Sequence, residues 1–158
     1  YYLAQKAIET GYDPEIILAG RKMNDSMGSY VATETVKMMI NKGATIKGSR
    51  ALVLGITFKE NCPDIRNSRV IDIIKELQSY HVEVDVYDPW ASKEEVKHEY
   101  GLDLIGSDDA LQTNYDAVIL AVAHNAFLKL DMKKLKSPTS VLFDVKSLLP
   151  KEDVDARL

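Results

Sequence analysis

Apolar positions along the chain change their period once, near Ile46. Before that point they recur at three- and four-residue spacing, which is the spacing of a helix face. Residues 1–10 read as a short helix stopped near Gly11, and Tyr12-Asp13-Pro14 as a turn, with Pro14 suited to a helix start. A longer helix is predicted over about 23–42, with Met23, Met27, Tyr30, Val31, Met38 and Met39 near one face and Gly43 placed to end it. A methionine-rich face more often packs against a core or an interface than against a cofactor.

Beyond Ile46 the pattern is that of strands alternating with helices. RALVLGITF (50–58) is a continuous apolar run, as a strand covered on both faces requires. SRVIDIIKELQSY follows with a helical stripe of Val70, Ile73, Ile74 and Leu77. VEVDVYDP alternates with a period of two and stops at Pro89. SKEEVKHEYG reads as a charged, exposed helix, DAVILAVAH (116–124) as a buried strand, MKKL as a helical turn and SVLFDVK (140–146) as a last strand. LDLI, around Leu102, is a candidate edge strand. This β-α-β-α order from Gly48 onward predicts a Rossmann-like α/β domain: a doubly wound, mostly parallel sheet with helices on both faces. Ligands of such sheets sit beyond the carboxyl ends of the strands, at the switch point. The expected division is a helical segment over 1–47 and the sheet domain over 48–158.

Composition narrows the function classes. The chain has 158 residues, 46% apolar and 28% charged, enough for one full domain and an appendage. A net charge of −4 argues against a general nucleic-acid surface but leaves room for a local anion site. One cysteine offers no internal disulfide and no zinc ligand set, which fits a reducing, cytoplasmic setting. No apolar run reaches membrane-spanning length. The chain opens inside a predicted helix and without methionine, as a piece of a longer protein would; a processed N-terminus is the alternative.

The loop GITFKENCPDIRNS (55–68) carries the candidate chemistry. It stands where a dinucleotide fingerprint would be, yet G-x-G-x-x-G is absent, and so is G-x-x-x-x-G-K-[ST]. In their place Phe58 and Lys59 end the strand, and Asp64, Arg66, Asn67 and Ser68 lead into the helix. Asn67 or Ser68 is placed to cap that helix, whose first amides attract anions. Lys59 adds a point charge and Arg66 a fork suited to phosphate or carboxylate. The bland alternative is a solvated loop with Arg66 paired to Asp64. Cys62 is followed by Pro63 and has no histidine near it in sequence, so a bystander role outweighs that of nucleophile. Asp88 either meets a ribose hydroxyl or makes a turn; His124 either faces the site or is structural; Asp144 and Lys146 suggest an ion pair at the sheet rim. A receiver-like signalling domain is disfavoured, because the first strand does not end in an acidic pair.

Taken together, ILAGRKMNDSMG, GITFKENCPDIRNS, VDVYDPW, AVAHNAF and FDVKSLLP resemble the UDP-glucose/GDP-mannose dehydrogenase family, in particular its UDP-N-acetylhexosamine 6-dehydrogenases of Vi-capsule and O-antigen synthesis. The resemblance covers essentially the whole chain. It implies a parent enzyme with an N-terminal NAD domain, a central helical dimerisation region and a C-terminal Rossmann-like domain for the UDP part of the substrate. That parent would oxidise the sugar C6 alcohol to a carboxylate through a cysteine thioester, reducing two NAD. Its catalytic cysteine would lie upstream of Tyr1, so no catalytic residue and no metal ligand is expected here. Carried over by position, Phe58 and Lys59 match the family's sugar-nucleotide contacts and Arg66 the arginine that reaches toward NAD. Arg21, in G-R-x-x-N-D, matches a neighbourhood that contacts substrate. The chain alone is expected to bind UDP-sugar weakly, to have no dehydrogenase activity and to form a homodimer through its long helix. UDP-glucose and GDP-mannose remain alternative substrates, and a free-standing nucleotide-binding or dimerisation module the non-enzyme alternative.

Overall fold

The runs at 50–58, 82–89, 116–124 and 140–146 each supply a strand of one sheet in the computed structural model, the first ending at Leu54 and the third at Leu120; the structure describes residues 2–107, 111 and 113–158. Helices α1 (Tyr2–Glu9) and α2 (Glu15–Asn41) precede β1 (Arg50–Leu54), α3 (Val70–Ser79), β2 (Glu83–Tyr87) and α4 (Lys93–Tyr100). There follow β3 (Tyr115–Leu120), a 3₁₀ turn (Asn125–Lys129), α5 (Met132–Leu135), β4 (Lys136–Asp144) and β5 (Ala156–Arg157). Tyr1, the first residue of the predicted opening helix, lies outside the described residues. The strand order is β2-β1-β3-β4-β5, and every described pairing is parallel. From β1 the chain crosses by α3 to β2, then returns past β1 to β3. The switch point therefore lies between β1 and β3.

Alternation along the strands builds two cores. Ala51, Val53, Ala117, Ile119, Val141 and Phe143 face Val31, Val36 and Met39 of α2 and Ile73, Ile74 and Leu77 of α3. Leu52, Leu54, Val118, Leu120 and Leu142 face the other way, where Phe127 and Leu135 cover them. The predicted helices on both faces are therefore unequal, for the second face has only short elements. The charged helix α4 buries Val96 alone of its own residues. LDLI contributes a single parallel bridge, Leu104 to Val86, rather than a strand. The two-residue strand β5 has too little pattern to be read from sequence.

Helix α2 departs from expectation in length and in face. It starts at Glu15, because Glu15 to Ala19 are adequate helix formers and the single Gly20 costs only about 1 kcal/mol. Its packing face is Gly28, Val31, Ala32, Thr35, Val36 and Met39. Of the predicted methionine-rich face, Val31 and Met39 are buried, whereas Met23 is 68% and Tyr30 49% exposed. Gly43 ends the helix as expected, at φ 81°, with its N–H donating to the Ile40 carbonyl. Among the described residues no helix is long and apolar enough to cross a membrane.

Gly55 sets the sheet's C-terminal rim. Its φ is 94°, and a Cβ there would meet Val122 Cβ at 2.5 Å. Gly55→Ala is expected to destabilise the fold by about 2–4 kcal/mol through strain and overpacking. Gly43→Ala, also at positive φ but in open space, should cost only about 1 kcal/mol. Urea unfolding midpoints check this; equal losses would show that the Val122 contact is not what demands glycine.

Candidate functional site

The turn made at Gly55 carries the chain over the switch point, and a crevice of about 700 Å³ opens there. Thr57, Ala121 and Val122 line it at the strand ends, Met27, Gly28 and Val31 of α2 form one wall, and residues 67–70 at the start of α3 form another. Gly28 permits the wall to close, since a Cβ at this position would lie 2.6 Å from Asp72 Cβ. An ion pair between Asp25 and Arg69 also ties α2 to α3. Helix α3 begins without a side-chain cap at Arg69; the contact at this end is Val70 N–H donating to Ser68 Oγ at 3.3 Å. Asn67 takes no capping role and sits in the left-handed region, φ 58°.

Two strand-end aspartates shape the loops round the crevice. Asp88, just beyond β2, is buried, and its two oxygens accept from four backbone N–H groups. Ile56 and Thr57 donate to Oδ2 at 2.7 and 3.1 Å, Trp90 and Ala91 to Oδ1 at 2.8 and 3.1 Å. His124 Nε2 lies 3.1 Å from Oδ2. Burial pushes the Asp88 carboxyl up, but the bonds from His124, Ile56 and Trp90 outweigh it and hold it below the ordinary carboxylate value. Asp144, fully buried at the end of β4, accepts from Lys146 N–H at 3.1 Å and from Leu149 N–H at 2.7 Å. The expected Asp144–Lys146 ion pair is thus a backbone bond. Lys146 instead lines the crevice, and no ion pair to it forms among the described residues.

Arg21 and Phe58 both line the crevice, Phe58 at 58% exposure and Arg21 with its Nε 3.6 Å from Asp25. Lys59 and Arg66 do not. Lys59 is exposed in the adjoining loop, and its carbonyl accepts from Thr57 Oγ1 at 3.1 Å. Arg66 grips Asp64 through Nε at 2.9 Å and Nη2 at 2.8 Å. Those two bonds and the Arg66 amide lower Asp64 to about 2, and Asp64 raises Arg66 in turn. Being exposed, the pair contributes little to stability. It lines a second groove of about 460 Å³ with Glu94, Glu95, His98 and Glu99.

Residues 52–151 match the UDP binding domain of the UDP-glucose/GDP-mannose dehydrogenase family. The chain belongs to that family. Along its whole length it is 49% identical to a UDP-N-acetyl-D-glucosamine 6-dehydrogenase of Salmonella typhi and 48% identical to one of Pseudomonas aeruginosa. It spans 37% and 38% of the length of those relatives. Among solved structures it resembles a UDP-N-acetyl-mannosamine dehydrogenase of S. aureus, with TM-score 0.70 and 27% identity over 99% of this chain and 35% of that one.

Family membership sharpens what the crevice can and cannot hold. NAD does not fit the first βα loop in the usual way. There is no glycine fingerprint, and Asp88, where a ribose-binding carboxylate would stand, has both oxygens committed inside the protein. Cys62 is half-buried. His124 cannot serve it as a base, because both ring nitrogens are engaged, Nδ1 by Asn61 N–H at 2.9 Å and Nε2 by Asp88 and Thr57. No three His, Cys, Asp or Glu side chains among the described residues are grouped to hold a metal. Lys146 and the Asp88–His124 pair carried weaker sequence signals than the FKENCPDIR loop: each is a polar residue at the end of an apolar run.

Proposed function

We propose that this chain is the sugar-nucleotide-binding part of an NAD-dependent dehydrogenase that oxidises the C6 hydroxyl of a UDP-N-acetylhexosamine to the uronic acid for surface polysaccharide. The observation that carries the reading is the switch-point crevice, with the start of α3 on one side and Lys146 on the other. Amides at a helix start and a nearby ammonium suit a diphosphate, and Phe58 at the rim offers a ring to the nucleoside or sugar. The names of the relatives support the N-acetylated sugar, and the family's UDP-binding domain supports the nucleotide. Lys59 and Arg21 are the further substrate contacts of this reading. NAD is assigned to residues outside this chain, with Arg66 reaching toward it from the second groove. The chain alone is then inactive as a dehydrogenase, and the parent works in the cytoplasm.

The domain reading is 1–47 as a dimerisation segment and 48–158 as the nucleotide domain. Its support is apolar surface on the N-terminal helices: Tyr2 is 83%, Leu3 70%, Ile16 87% and Met23 68% exposed. The proposed occupant of this face is the same helix of a second copy. Sedimentation velocity at micromolar concentration should find a dimer that Ile16→Glu with Met23→Glu converts to monomer. A monomeric native chain would contradict it.

Calorimetric titration tests the site. UDP and UDP-N-acetylglucosamine should bind and NAD should not. Lys146→Ala should weaken UDP about tenfold or more, the worth of one charged hydrogen bond, and Lys59→Ala should weaken it less. Unchanged affinity in both variants, with loss on Arg66→Ala, would move the nucleotide to the groove beside α4.

A further inference from the structure

We infer that His124 is a positioning residue: as the neutral Nε2–H tautomer it holds loop 56–61 in the shape that presents Thr57 and Phe58 to the crevice. The inference rests on the reading of that crevice as the nucleotide site. The hydrogen bonds assign every proton. Asn61 N–H donates to Nδ1 at 2.9 Å, so Nδ1 carries no hydrogen and Nε2 does. That hydrogen points at Asp88 Oδ2, 3.1 Å away, and Thr57 Oγ1, 3.0 Å away. Thr57 Oγ1 is free to accept because its own hydrogen goes to the Lys59 carbonyl at 3.1 Å. One imidazole therefore links the carboxylate beyond β2 to both ends of the loop beyond β1.

The surroundings confine the ring to that one pose. His124 has no exposed surface. Phe127 meets it edge-on with centroids 5.3 Å apart, and Trp90 lies over it at 6.5 Å and 23° between planes. Asn61, the residue it holds, sits at φ 53°, a left-handed conformation that asparagine tolerates but that a loose loop would leave. The Asn61 side chain closes the clamp by accepting from Asn125 N–H at 3.1 Å. A histidine that merely filled space would need neither the tautomer nor partners on both ring nitrogens.

Two variants divide the ring's duties. His124→Asn places an acceptor where Nδ1 was and loses the links to Asp88 and Thr57; His124→Gln places a donor where Nε2 was and loses the acceptor for Asn61 N–H. Three readouts apply to the 158-residue chain: long-range 1H–15N correlation of the native imidazole, hydrogen exchange of the Asn61 amide without ligand, and UDP titration. The expected results are an Nε2–H tautomer, Asn61 exchange at least tenfold faster in His124→Gln than in His124→Asn, and UDP affinity about tenfold lower in each variant than in the native chain, since each loses one side of a buried hydrogen-bond network. An Nδ1–H tautomer, or equal Asn61 exchange in both variants, overturns the inference. If the native chain does not bind UDP while the exchange contrast holds, the crevice reading fails and the clamp on the loop stands.

Discussion

The site depends on one buried carboxylate. Asp88 gathers the loop after β1 and the loop after β2 by accepting from Ile56, Thr57, Trp90 and Ala91, and adds the strand-end His124 of the β3 side. Backbone N–H groups in so buried a place must find partners, and each left unpaired costs about 1–3 kcal/mol. A parallel sheet ends all its strands at one rim, so the chain leaves that rim in several directions at once. Asp88 supplies at this rim the acceptors that a next strand would have supplied. Asp144 does the same on a smaller scale for the turn bearing Lys146.

This economy explains why the first βα loop of a Rossmann-like sheet here carries no glycine fingerprint. In the dinucleotide version the loop is short, and a strand-end acid reaches the ligand. Here the loop is long, and the acid is turned inward to hold it. The glycine this loop does need is Gly55, whose missing Cβ lets the chain pass Val122. The cations are left to face outward: Lys146 into the crevice, Arg66 into a second groove with Asp64, and Lys59 exposed in the loop. An overall charge of −4 is compatible with anion binding because Arg21, Arg69 and Lys146 line the crevice.

Helix α2 serves two surfaces. From Gly28 to Met39 it is core, closed on α3 and the sheet; before that it exposes Ile16, Ile17, Leu18 and Met23, while Asp25 still pairs with Arg69. The sequence reading took the two as one methionine-rich face, because helical spacing alone does not say where along a helix the partner changes. Strands, the α3 stripe and the stop at Gly43 were legible, since each depends on local pattern: Ala51 to Leu54 are buried on both faces, and Gly43 adopts the left-handed cap. Asp88 and His124 were visible only as open choices: the Asp88 turn to Trp90 and Ala91 is local, but the bonds that join the two residues to each other and to loop 56–61 span 31 to 67 residues of sequence. The separation of Arg66 from the crevice was not legible for the same reason: its engagement by Asp64 was foreseen as a local pair, but which groove the pair would line depends on α4.

The most direct test of the account is residue-resolved amide chemical-shift mapping of this chain on addition of UDP. The account predicts the largest changes at Thr57, Phe58, residues 67–70 and Lys146, the lining of the switch-point crevice. Changes confined to Asp64, Arg66 and the exposed face of α4, or none at millimolar UDP, would contradict it.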